Sequence, residues 1–388
     1  MATDNNNKVL NVPNLRFPEF TEVWKDSNIG KCFDLYSGNT PSRMEKKHFI
    51  GDVNWITSGE LKEHYIGDTK ERISEKAAED NNLRILPVGT FVMAIYGLEA
   101  EGVRGTCSIT VKTSTISQAC MAFTPKSNVS NEFLYSWYKK HGNKIGIRYA
   151  QGTKQQNLSY DIIEKFPIRY PSIEEQEKLN TFISLLDKRI ATQNKIIEDL
   201  KKLKVAIRDK QLNAIRKHYG LNYQICDLLD YEQPTKYVVT DSEYSEDRSK
   251  TPVLTANKAF ILGYTNETFG VYDKGKCIIL DDFTLDCKYV DFPFKVKSSA
   301  IKILTVKNGY SLRYVYEYLN YLNLETTEHK RHYISEIEPM MIAYPTDKKK
   351  IDDFNNMMSS HESKIEIENK YLQSLLVQKS YLLSNMFI

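Results

Sequence analysis

The chain has 388 residues, of which 41% are hydrophobic and 27% are charged, and its formal net charge is +3. This length is enough for two or three domains with their own cores, and the hydrophobic content excludes a largely disordered chain. The small net charge neither identifies nor excludes a nucleic-acid-binding protein, because local patches decide binding more than totals do.

The sequence also indicates where the protein works. No apolar run approaches 18 residues, which excludes a membrane-spanning helix. The polar first residues, MATDNNNK, do not have the pattern of a signal peptide, and the six cysteines form no CxxC pair. We therefore expect a cytoplasmic protein whose cysteines are reduced and structural.

The first part of the chain predicts a leader followed by a mixed domain. Residues 1–20 are interpreted as the leader, mobile over residues 1–12, and residues 21–168 as the domain. Short strand-like runs at 53–57, 89–96 and 119–124 are separated by Gly, Pro, Asn and Ser, and a helix is predicted at about 131–141.

The stretch 171–217 predicts a long amphipathic helix of coiled-coil type, because it contains no Gly or Pro after Pro171. Ser172 is the expected N-cap, and Gly220 is the expected stop. The apolar residues recur at spacings of three and four, at Leu179, Phe182, Ile183, Leu186, Ile190, Ile197, Leu200, Leu203 and Ile207.

A second mixed domain is predicted at 221–342, and a second long helix at 345–388. The two helices align with each other: Tyr170-Pro171 on Tyr344-Pro345, Ile190 on Ile365, and Leu200 on Leu375. Thr346 then takes the place of Ser172. Two unrelated surface helices are the alternative interpretation, but the shared Tyr-Pro start favours a repeat. The second apolar stripe comprises Phe354, Met357, Met358, Ile365, Leu372, Leu375, Leu376, Leu382 and Leu383.

The two mixed domains also match, faintly but in the same order. The matches are Asp34-Leu35 with Asp227-Leu228, WITSGE (55–60) with VLTANK (253–258), Gly89 with Gly275, ACMAFTPK (119–126) with AIKILTVK (300–307), and Phe133-Leu134 with Tyr314-Val315. Insertions in loops account for the drifting offsets. The pattern predicts a tandem duplication, domain–helix–domain–helix.

Two such helices bury their apolar stripes if they pair antiparallel, and the pair then spaces the two domains. Two related domains at a fixed separation suit a repetitive polymer such as DNA, whose dimeric readers place half-sites about one helical turn apart. Asn194 and Asn369 interrupt the stripes, and a polar residue at the seam fixes the register. Their Cα atoms are expected within roughly 12 Å of each other. Alternatively both face solvent, with Gln193 at the seam.

The whole chain resembles the specificity subunits of type I restriction–modification systems. The residues that carry the resemblance are LRFPEFTEVW (15–24), SGNTPS (37–42), WITSGEL (55–61), QGTKQQNLS (151–159), IRYPSIEEQ (168–176), TPVLTANKAFILGYTNE (251–267), DDFT (281–284), FKVKSSA (294–300) and IAYPT (342–346).

The resemblance implies an α+β fold with two tandem mixed α/β target-recognition domains, alternating with two long spacer helices paired as an antiparallel coiled coil. It also implies that the chain binds double-stranded DNA and has no catalytic function or cofactor of its own. Two methyltransferase subunits would bind S-adenosylmethionine, and restriction subunits would use ATP and Mg²⁺. A fused methyltransferase or nuclease and a coiled-coil scaffold without DNA selectivity remain the alternatives.

Motifs for catalysis are weak in this sequence. GLEAEGVRG (97–105) has glycines but no Rossmann-like strand before it, and DFPF (291–294) has Phe292 where an adenine methyltransferase box needs Pro. His329 and His332 lack companion metal ligands, so no metal site is expected. Asp281-Asp282 is interpreted as a structural turn or as acceptors for cytosine amino groups.

Polar and basic loop residues are the candidate DNA contacts. Arg suits guanine, Asn and Gln suit adenine, and Lys mostly meets phosphate. A phosphate-facing patch is expected at Lys139, Lys140, Lys144 and Arg148. The other candidates are Thr40, Ser42, Arg43, Ser58, Arg104, Lys154, Gln155 and Gln156 in the first domain and Lys236, Asn257, Lys258, Tyr264, Lys295, Lys297, Lys330 and Arg331 in the second.

Overall fold

The computed structural model describes residues 11–100, 102–152, 156–257, 259–326, 328 and 330–388. These residues form two compact units. The first extends to Gln193 and also includes Tyr371–Ile388, whereas the second is the continuous segment Asn194–Lys370. Each unit therefore contains one mixed domain and a part of each long helix.

The elements of the first unit are short until its last helix. In chain order they are β1 (Lys25–Asn28), α1 (Ile29–Cys32), β2 (Phe33–Ser37), a 3-10 helix (Lys46–Phe49), β3 (Val53–Ile56), a 3-10 helix (Ser58–Glu60), β4 (Tyr65–Ile66), β5 (Arg72–Ile73), α2 (Glu75–Asp80), β6 (Phe91–Ala94), β7 (Cys107–Thr110), β8 (Ser114–Ile116), β9 (Cys120–Pro125), α3 (Asn131–Tyr149), α4 (Tyr160–Ile163), β10 (Pro167–Tyr170) and the first part of α5 (Ile173–Tyr219).

Two sheets form the core of the first unit. The larger has the strand order β2-β9-β6-β7-β4, and the smaller has the order β5-β3-β8, with β3 parallel to β8. Every residue of β6 is buried, because α3 covers one side of the larger sheet. Phe91 of β6, Phe123 of β9 and Phe133 of α3 lie in the same hydrophobic cluster.

Helix α3 is longer than the predicted 131–141, and two glycines explain the difference. Gly142 and Gly146 weaken a helix on propensity grounds. Here they allow the loop around Arg104 to pack closely: a Cβ at Gly146 would lie 2.5 Å from Cγ of Arg104. These glycines therefore serve packing and do not end the helix.

The second unit completes α5 and adds its own domain. Its further elements are β11 (Tyr223–Gln224), α6 (Ile225–Leu228), β12 (Leu229–Glu232), a 3-10 helix (Pro234–Tyr237), β13 (Thr251–Leu254), β14 (Ile261–Thr265), β15 (Cys277–Asp281), β16 (Cys287–Val290), β17 (Lys295–Val296), β18 (Ile301–Val306), α7 (Leu312–Leu322), a π-helical turn (Tyr333–Ile337), β19 (Met341–Ile342) and the start of α8 (Lys348–Met386).

The strand order of the second unit repeats that of the first. Its larger sheet is β12-β18-β15-β16, its smaller sheet is β14-β13-β17, and β13 is again parallel to β17. Gly89 and Gly275 precede the equivalent strands β6 and β15 with φ of 85° and 90°, a conformation that favours glycine. Ser130 and Ser311 both cap the following helix. The predicted duplication is therefore built into the topology.

One predicted match is displaced. Helix α1 ends at Cys32 and helix α6 at Leu228, so the strands that follow begin at Phe33 and Leu229. Asp34 consequently corresponds to Asp230 and not to Asp227. The error arose because two aspartates lie three residues apart, and a short match cannot distinguish them.

The long helices begin and end close to the predicted positions. The side chain of Ser172 accepts a hydrogen bond from the backbone N–H of Glu175 at 3.4 Å, and Gly220, with φ of 67°, follows the end of α5. Helix α8 begins at Lys348, one residue later than the alignment with Ser172 predicts. Asp347, rather than Thr346, caps it by accepting a hydrogen bond from the N–H of Lys349 at 2.9 Å.

The helices pack together antiparallel, as predicted. In the first unit Asp187 pairs with Lys379 and Arg189 with Tyr371. Residues later in α5 therefore contact residues earlier in α8, which shows that the helices run antiparallel. In the second unit Lys204 pairs with Glu362 at 2.6 Å. Leu179, Ile183 and Ile197 of the predicted α5 stripe are buried, but Leu203 is 47% exposed. Leu212, beyond the predicted stripe, is also buried.

The predicted seam between the two long helices involves Asn194 of α5 and Asn369 of α8. On α5 the buried polar residue is instead Gln193, at 4% exposure, and Asn194 is exposed. Asn369 is half-buried, and its side-chain amide donates to the backbone oxygen of Ile365 on its own helix at 2.7 Å. The seam position thus belongs to Gln193, the alternative considered above. The 12 Å separation of the Asn194 and Asn369 Cα atoms stays a prediction.

Residues 11–20, interpreted as part of a leader, pack on the first unit. The N–H of Leu15 donates to the backbone oxygen of Asn385 at 2.9 Å. Arg16 forms two hydrogen bonds, of 2.8 and 2.6 Å, with the buried carboxylate of Glu175 at the start of α5. This segment is therefore part of the domain's structure.

Candidate nucleic-acid interface

The loop between β2 and β3 carries three predicted contacts of the first domain. Ser42 and Arg43 are exposed, and Thr40 is half-buried. Arg43 forms two hydrogen bonds with Glu71, at 2.7 and 2.9 Å, and its guanidinium lies over the ring of Phe49. The hydrogen bond from Arg43 lowers the pKa of Glu71. Arg43 therefore holds the loop, and it must exchange Glu71 for a base in order to read guanine.

Arg104 and Gln156 come together, although they are far apart in the sequence. Nη2 of Arg104 donates to Oε1 of Gln156 at 3.0 Å, and the N–H of Gln156 donates to Glu99 at 2.8 Å. The described residues of the 97–105 segment thus form a loop, as predicted, and hydrogen bonds join this loop to Gln156. Ser58 lies in a 3-10 helix capped by Thr57 and Glu60. Lys154 and Gln155 lie outside the described residues.

In the second domain several predicted cations are already paired. Lys236 forms a 2.7 Å ion pair with Glu232, which also binds Lys274 at 2.7 Å. Burial opposes the charge of Glu232, but hydrogen bonds from Lys236, Lys274 and Tyr237 lower its pKa to about 2. Lys330 similarly pairs with two glutamates, Glu328 and Glu336, at 2.5 and 3.0 Å.

Lys295 was wrongly predicted as a DNA contact. Its side chain is fully buried, its Nζ lies 2.7 Å from Glu267, and it donates to the backbone oxygen of Phe269 at 2.8 Å. Glu267 in turn accepts hydrogen bonds from the backbone and hydroxyl of Thr240. Lys295 therefore joins two loops inside the domain and cannot meet phosphate. Lys297, two residues further, is exposed.

The remaining predicted contacts of the second domain are accessible. Asn257, Lys297 and Arg331 are exposed, and Tyr264 is half-buried. Lys258 lies outside the described residues. Tyr264 is on β14 opposite Pro252 of β13, which places it beside the loop that precedes β13.

A cleft of about 430 Å³ opens beside Tyr264. Its lining combines basic residues with apolar and aromatic side chains. Arg248 is exposed, and Lys250 lies 4.0 Å from Asp247. The acidic run DSEYSED before Arg248 obscured these two cations in the sequence. The lining residues are Arg248, Ser249, Lys250, Thr251, Pro252, Ile261, Tyr264, Phe292 and Pro293.

The predicted basic patch on α3 is smaller than expected. Lys139, Lys144 and Arg148 are exposed. Lys140 instead donates to the backbone oxygens of Ser384 and Phe387, at 2.8 and 2.5 Å, at the end of α8. A cation there satisfies carbonyls that the helix leaves unpaired. Burial lowers the pKa of Lys140, and this residue is not available to phosphate.

Asp281 and Asp282 have structural roles. Asp282 is buried, lies 3.5 Å from Lys302, and accepts hydrogen bonds from the N–H groups of His332 and Tyr333. Asp281 accepts from the N–H groups of Phe283 and Thr284, so the structural turn is the correct interpretation of this pair. His332 is buried, and His329 lies outside the described residues.

Metal-binding clusters and membrane-spanning helices are both absent from the described residues. No group of three or more His, Cys, Asp or Glu side chains within them is arranged to hold a metal ion. No helix there has the length and apolar character needed to cross a membrane. Burial raises the pKa of Cys107, Cys120, Cys277 and Cys287 to about 12, which keeps these thiols unreactive.

Comparisons with known proteins agree on one family. The profile described as "Type I restriction modification DNA specificity domain" matches residues 21–202. The chain is 50% identical over 125 residues to the EcoR124I/EcoR124II specificity subunit of Escherichia coli, a match that spans 31% of each protein. It is 27% identical over 308 residues to the MjaIX specificity subunit of Methanocaldococcus jannaschii, covering 77% of this chain and 68% of that one.

Solved structures agree on the fold. The specificity subunit of a type I restriction–modification system from M. genitalium matches with a TM-score of 0.56 at 16% identity, over 97% of this chain and 99% of that one. A chain from a structural study of complex assembly and conformational transition in the type I system matches with a TM-score of 0.59 at 12% identity, over 94% and 97%.

Two related mixed domains that alternate with two long antiparallel helices define the two-part architecture of this chain. Residues 21–202 match the DNA specificity domain of type I restriction–modification systems, and the relatives that the chain resembles are specificity subunits of such systems. The relatives give no support to a fused enzyme or to a scaffold without DNA selectivity.

Proposed function

We propose that the chain chooses the DNA sequence for a type I restriction–modification complex, and that each mixed domain reads one half of a two-part target. The observation that carries this proposal is the repeated strand order of the two units, with different side chains in equivalent loops. A repeated scaffold gives each domain the same way of approaching the duplex. Different loop residues then let the two half-sites differ.

In the second domain, the cleft beside Tyr264 is the best candidate for reading bases. Arg248 offers a fork of donors that suits guanine, and Lys250 is close enough to meet phosphate. Tyr264 and Phe292 supply apolar contact for a thymine methyl group. In the first domain, Ser42, Arg43, and the Arg104–Gln156 pair are the corresponding candidates. Arg43 and Lys250, which lie next to carboxylates of this chain, must break those ion pairs before they bind DNA.

The partners follow from this role. Two methyltransferase subunits would bind this chain and carry S-adenosylmethionine. Restriction subunits would join through them and use ATP and Mg²⁺. The chain itself would hold neither cofactor and would work in the cytoplasm, where the DNA is.

Domain exchange tests the proposal. Residues 221–342 are replaced by the equivalent domain of another specificity subunit, and methylated sites are mapped by single-molecule sequencing in cells that supply the methyltransferase. We expect one half of the target to change and the other to persist. Replacing residues 21–168 is the matched exchange and should change the opposite half.

The substitution Arg248→Ala tests a single candidate base contact with the same methylation mapping. It should weaken or relax recognition in the half-site that the 221–342 exchange changes, because one good base contact contributes about 1–3 kcal/mol of discrimination. A change in both halves after either exchange would show that the domains do not read independently. Methylation that ignores the exchanged domain would overturn the proposal.

A further inference from the structure

One histidine lies between the first domain and the long helices. The ring of His64 is stacked between Tyr65 and Tyr135, with centroid distances of 4.1 and 3.8 Å. Its Nε2 lies 2.9 Å from Glu132 on α3, and its Nδ1 lies 3.8 Å from Oδ2 of Asp187 on α5. The imidazole thus has a carboxylate at each nitrogen, one from the domain and one from the helix.

This geometry distinguishes the two protonation states of the ring. A neutral imidazole has one N–H and one lone pair, so one nitrogen would face its carboxylate without a proton. The imidazolium has a proton for each. The 3.8 Å pair with Asp187 is an ion pair, too long for a hydrogen bond. Oδ2 of Asp187 is buried and has no hydrogen-bond partner among the described residues, so it depends on the charge of the ring.

In the second unit, permanently charged side chains make the equivalent contact between the domain and the long helices. The alignment that places Leu200 on Leu375 also places Asp187 on Glu362 and Lys204 on Lys379. In the second unit Lys204 binds Glu362 at 2.6 Å. Arg313, at the position in α7 that corresponds to Glu132 in α3, binds Glu362 directly. Arginine and lysine stay charged at neutral pH, whereas the first unit relies on a histidine.

We propose that protonated His64 is the positioning residue that fixes the first domain on the long helices, and that this contact loosens as the pH rises through neutrality. The contact of the second domain, made through Arg313 and Lys204, does not depend on a histidine. Where the proposed function holds, reading of the first half-site becomes less selective at high pH.

The groups around the ring set the direction of the effect. Tyr65 and Glu63 are its chain neighbours, α3 contributes Glu132 and Tyr135, α5 contributes Asp187, and Lys379 of α8 binds the other oxygen of Asp187.

Burial opposes the charge of His64, but Asp187 and Glu132 outweigh it and raise the pKa. Burial also opposes the charge of Asp187, but His64 and Lys379 lower its pKa, so it stays ionised. Stabilisation by His64 is therefore complete below about pH 6.5 and is lost as the pH rises through the folded pKa.

The experiment uses the full chain with ¹³C-labelled histidine. NMR titration gives the pKa of His64, and hydrogen exchange between pH 6 and 8.5 gives protection factors for α3, corrected for the intrinsic pH dependence of exchange. We expect a pKa above 6.5 and a loss of α3 protection that follows the same titration. Each unit of pKa shift allows at most about a tenfold loss.

Three variants separate positioning from simple packing. His64→Arg keeps a planar, permanent cation between the two tyrosines and should hold α3 protected across the range. His64→Gln should show reduced protection at every pH. His332→Gln is the matched control in the second unit, where Glu336 binds the ring at 2.9 Å, and it should leave the α3 profile unchanged.

A His64 pKa at or below 6.5, or α3 protection with the same pH profile in wild type and His64→Gln, would overturn the proposal. If a variant does not fold, the titration and exchange profile of the wild-type chain still decide. None of these measurements requires DNA, so their failure is distinct from failure of the proposed function.

Discussion

Buried lysines show how single residues organise the second domain. Lys295 and Lys302 are both almost fully buried, and they are paired with Glu267 and Asp282. Lysine is rarely buried without a partner, because the charged group loses its water. Each pair joins segments that are distant in the sequence, so these residues hold loops in place.

Substitution at Lys295 should therefore be costly. Lys295→Met leaves the carboxylate of Glu267 without its cation, and we expect unfolding free energy to fall by about 3 kcal/mol. Chemical denaturation of the chain measures this. Lys297→Met is the matched control, because Lys297 is exposed, and it should change stability by at most about 0.5 kcal/mol.

Removing both charges should cost less than removing one. The double variant Lys295→Met with Glu267→Gln leaves no unpaired buried charge, so part of the lost stability should return. Equal losses in the single and double variants would show that Lys295 acts through packing alone.

The sequence could nominate candidate DNA contacts, but it could not show which of them are buried or already paired within the protein. Arg104, Gln156 and Tyr264 were selected from residue type and expected loop position, and all three are half-buried; Arg104 and Gln156 do lie in loops, but Tyr264 lies on β14. Lys140 and Lys295 were misjudged for one reason: their partners, at Ser384 and Glu267, are long-range contacts. A basic residue looks the same in sequence whether it faces water or a buried carboxylate.

At the scale of elements, periodicity was informative because burial of an apolar face is a local property. Periodicity predicted the start and the end of α5 to within two residues, and the repeat of the α5 pattern predicted the position of α8. It could not choose between neighbouring polar residues at the seam. Gln193 and Asn194 are about 100° apart around the helix, and only the partner helix decides which one is buried.

Lengthening the helices should change the gap between half-sites. An insertion of four residues adds about 6 Å at 1.5 Å per residue, or roughly one or two base pairs at 3.4 Å each. The Asp187–Lys379 and Lys204–Glu362 pairs fix both helices in register, so both must be lengthened. The insertions go between Lys195 and Leu200 and between Lys370 and Leu375.

Methylation-site mapping should show unchanged half-sites with a wider gap. The control has the insertion in α5 alone; it shifts one ion pair relative to the other and should lose stability. An unchanged gap in an active double-insertion variant would mean that partner subunits, rather than the helices, set the distance.

At the scale of the whole molecule, duplication is visible in the topology but not in every surface. The exposed residues Val377 and Tyr381 on α8 align with Lys202 and Ala206 on α5. Two sites for methyltransferase on the long helices are therefore expected to share a framework while differing in apolar contact.

We expect two methyltransferase subunits per chain, bound with unequal affinity. Native mass measurement during titration with methyltransferase should show a one-to-one complex first and a two-to-one complex at saturation. Val377→Lys should weaken one of the two binding steps, because it gives α8 the lysine that stands at the aligned position 202 of α5. A complex that stays one-to-one at saturation would contradict this expectation.

The first unit is discontinuous in sequence, and this has a consequence for synthesis on the ribosome. The second unit, Asn194–Lys370, is complete in the nascent chain before residues 371–388 have been made. The first domain must wait for those residues, because Leu382, Leu383, Met386 and Phe387 belong to its hydrophobic core. The hydrophobic core of the first domain, which is made first, is therefore complete only after the end of α8 has been made.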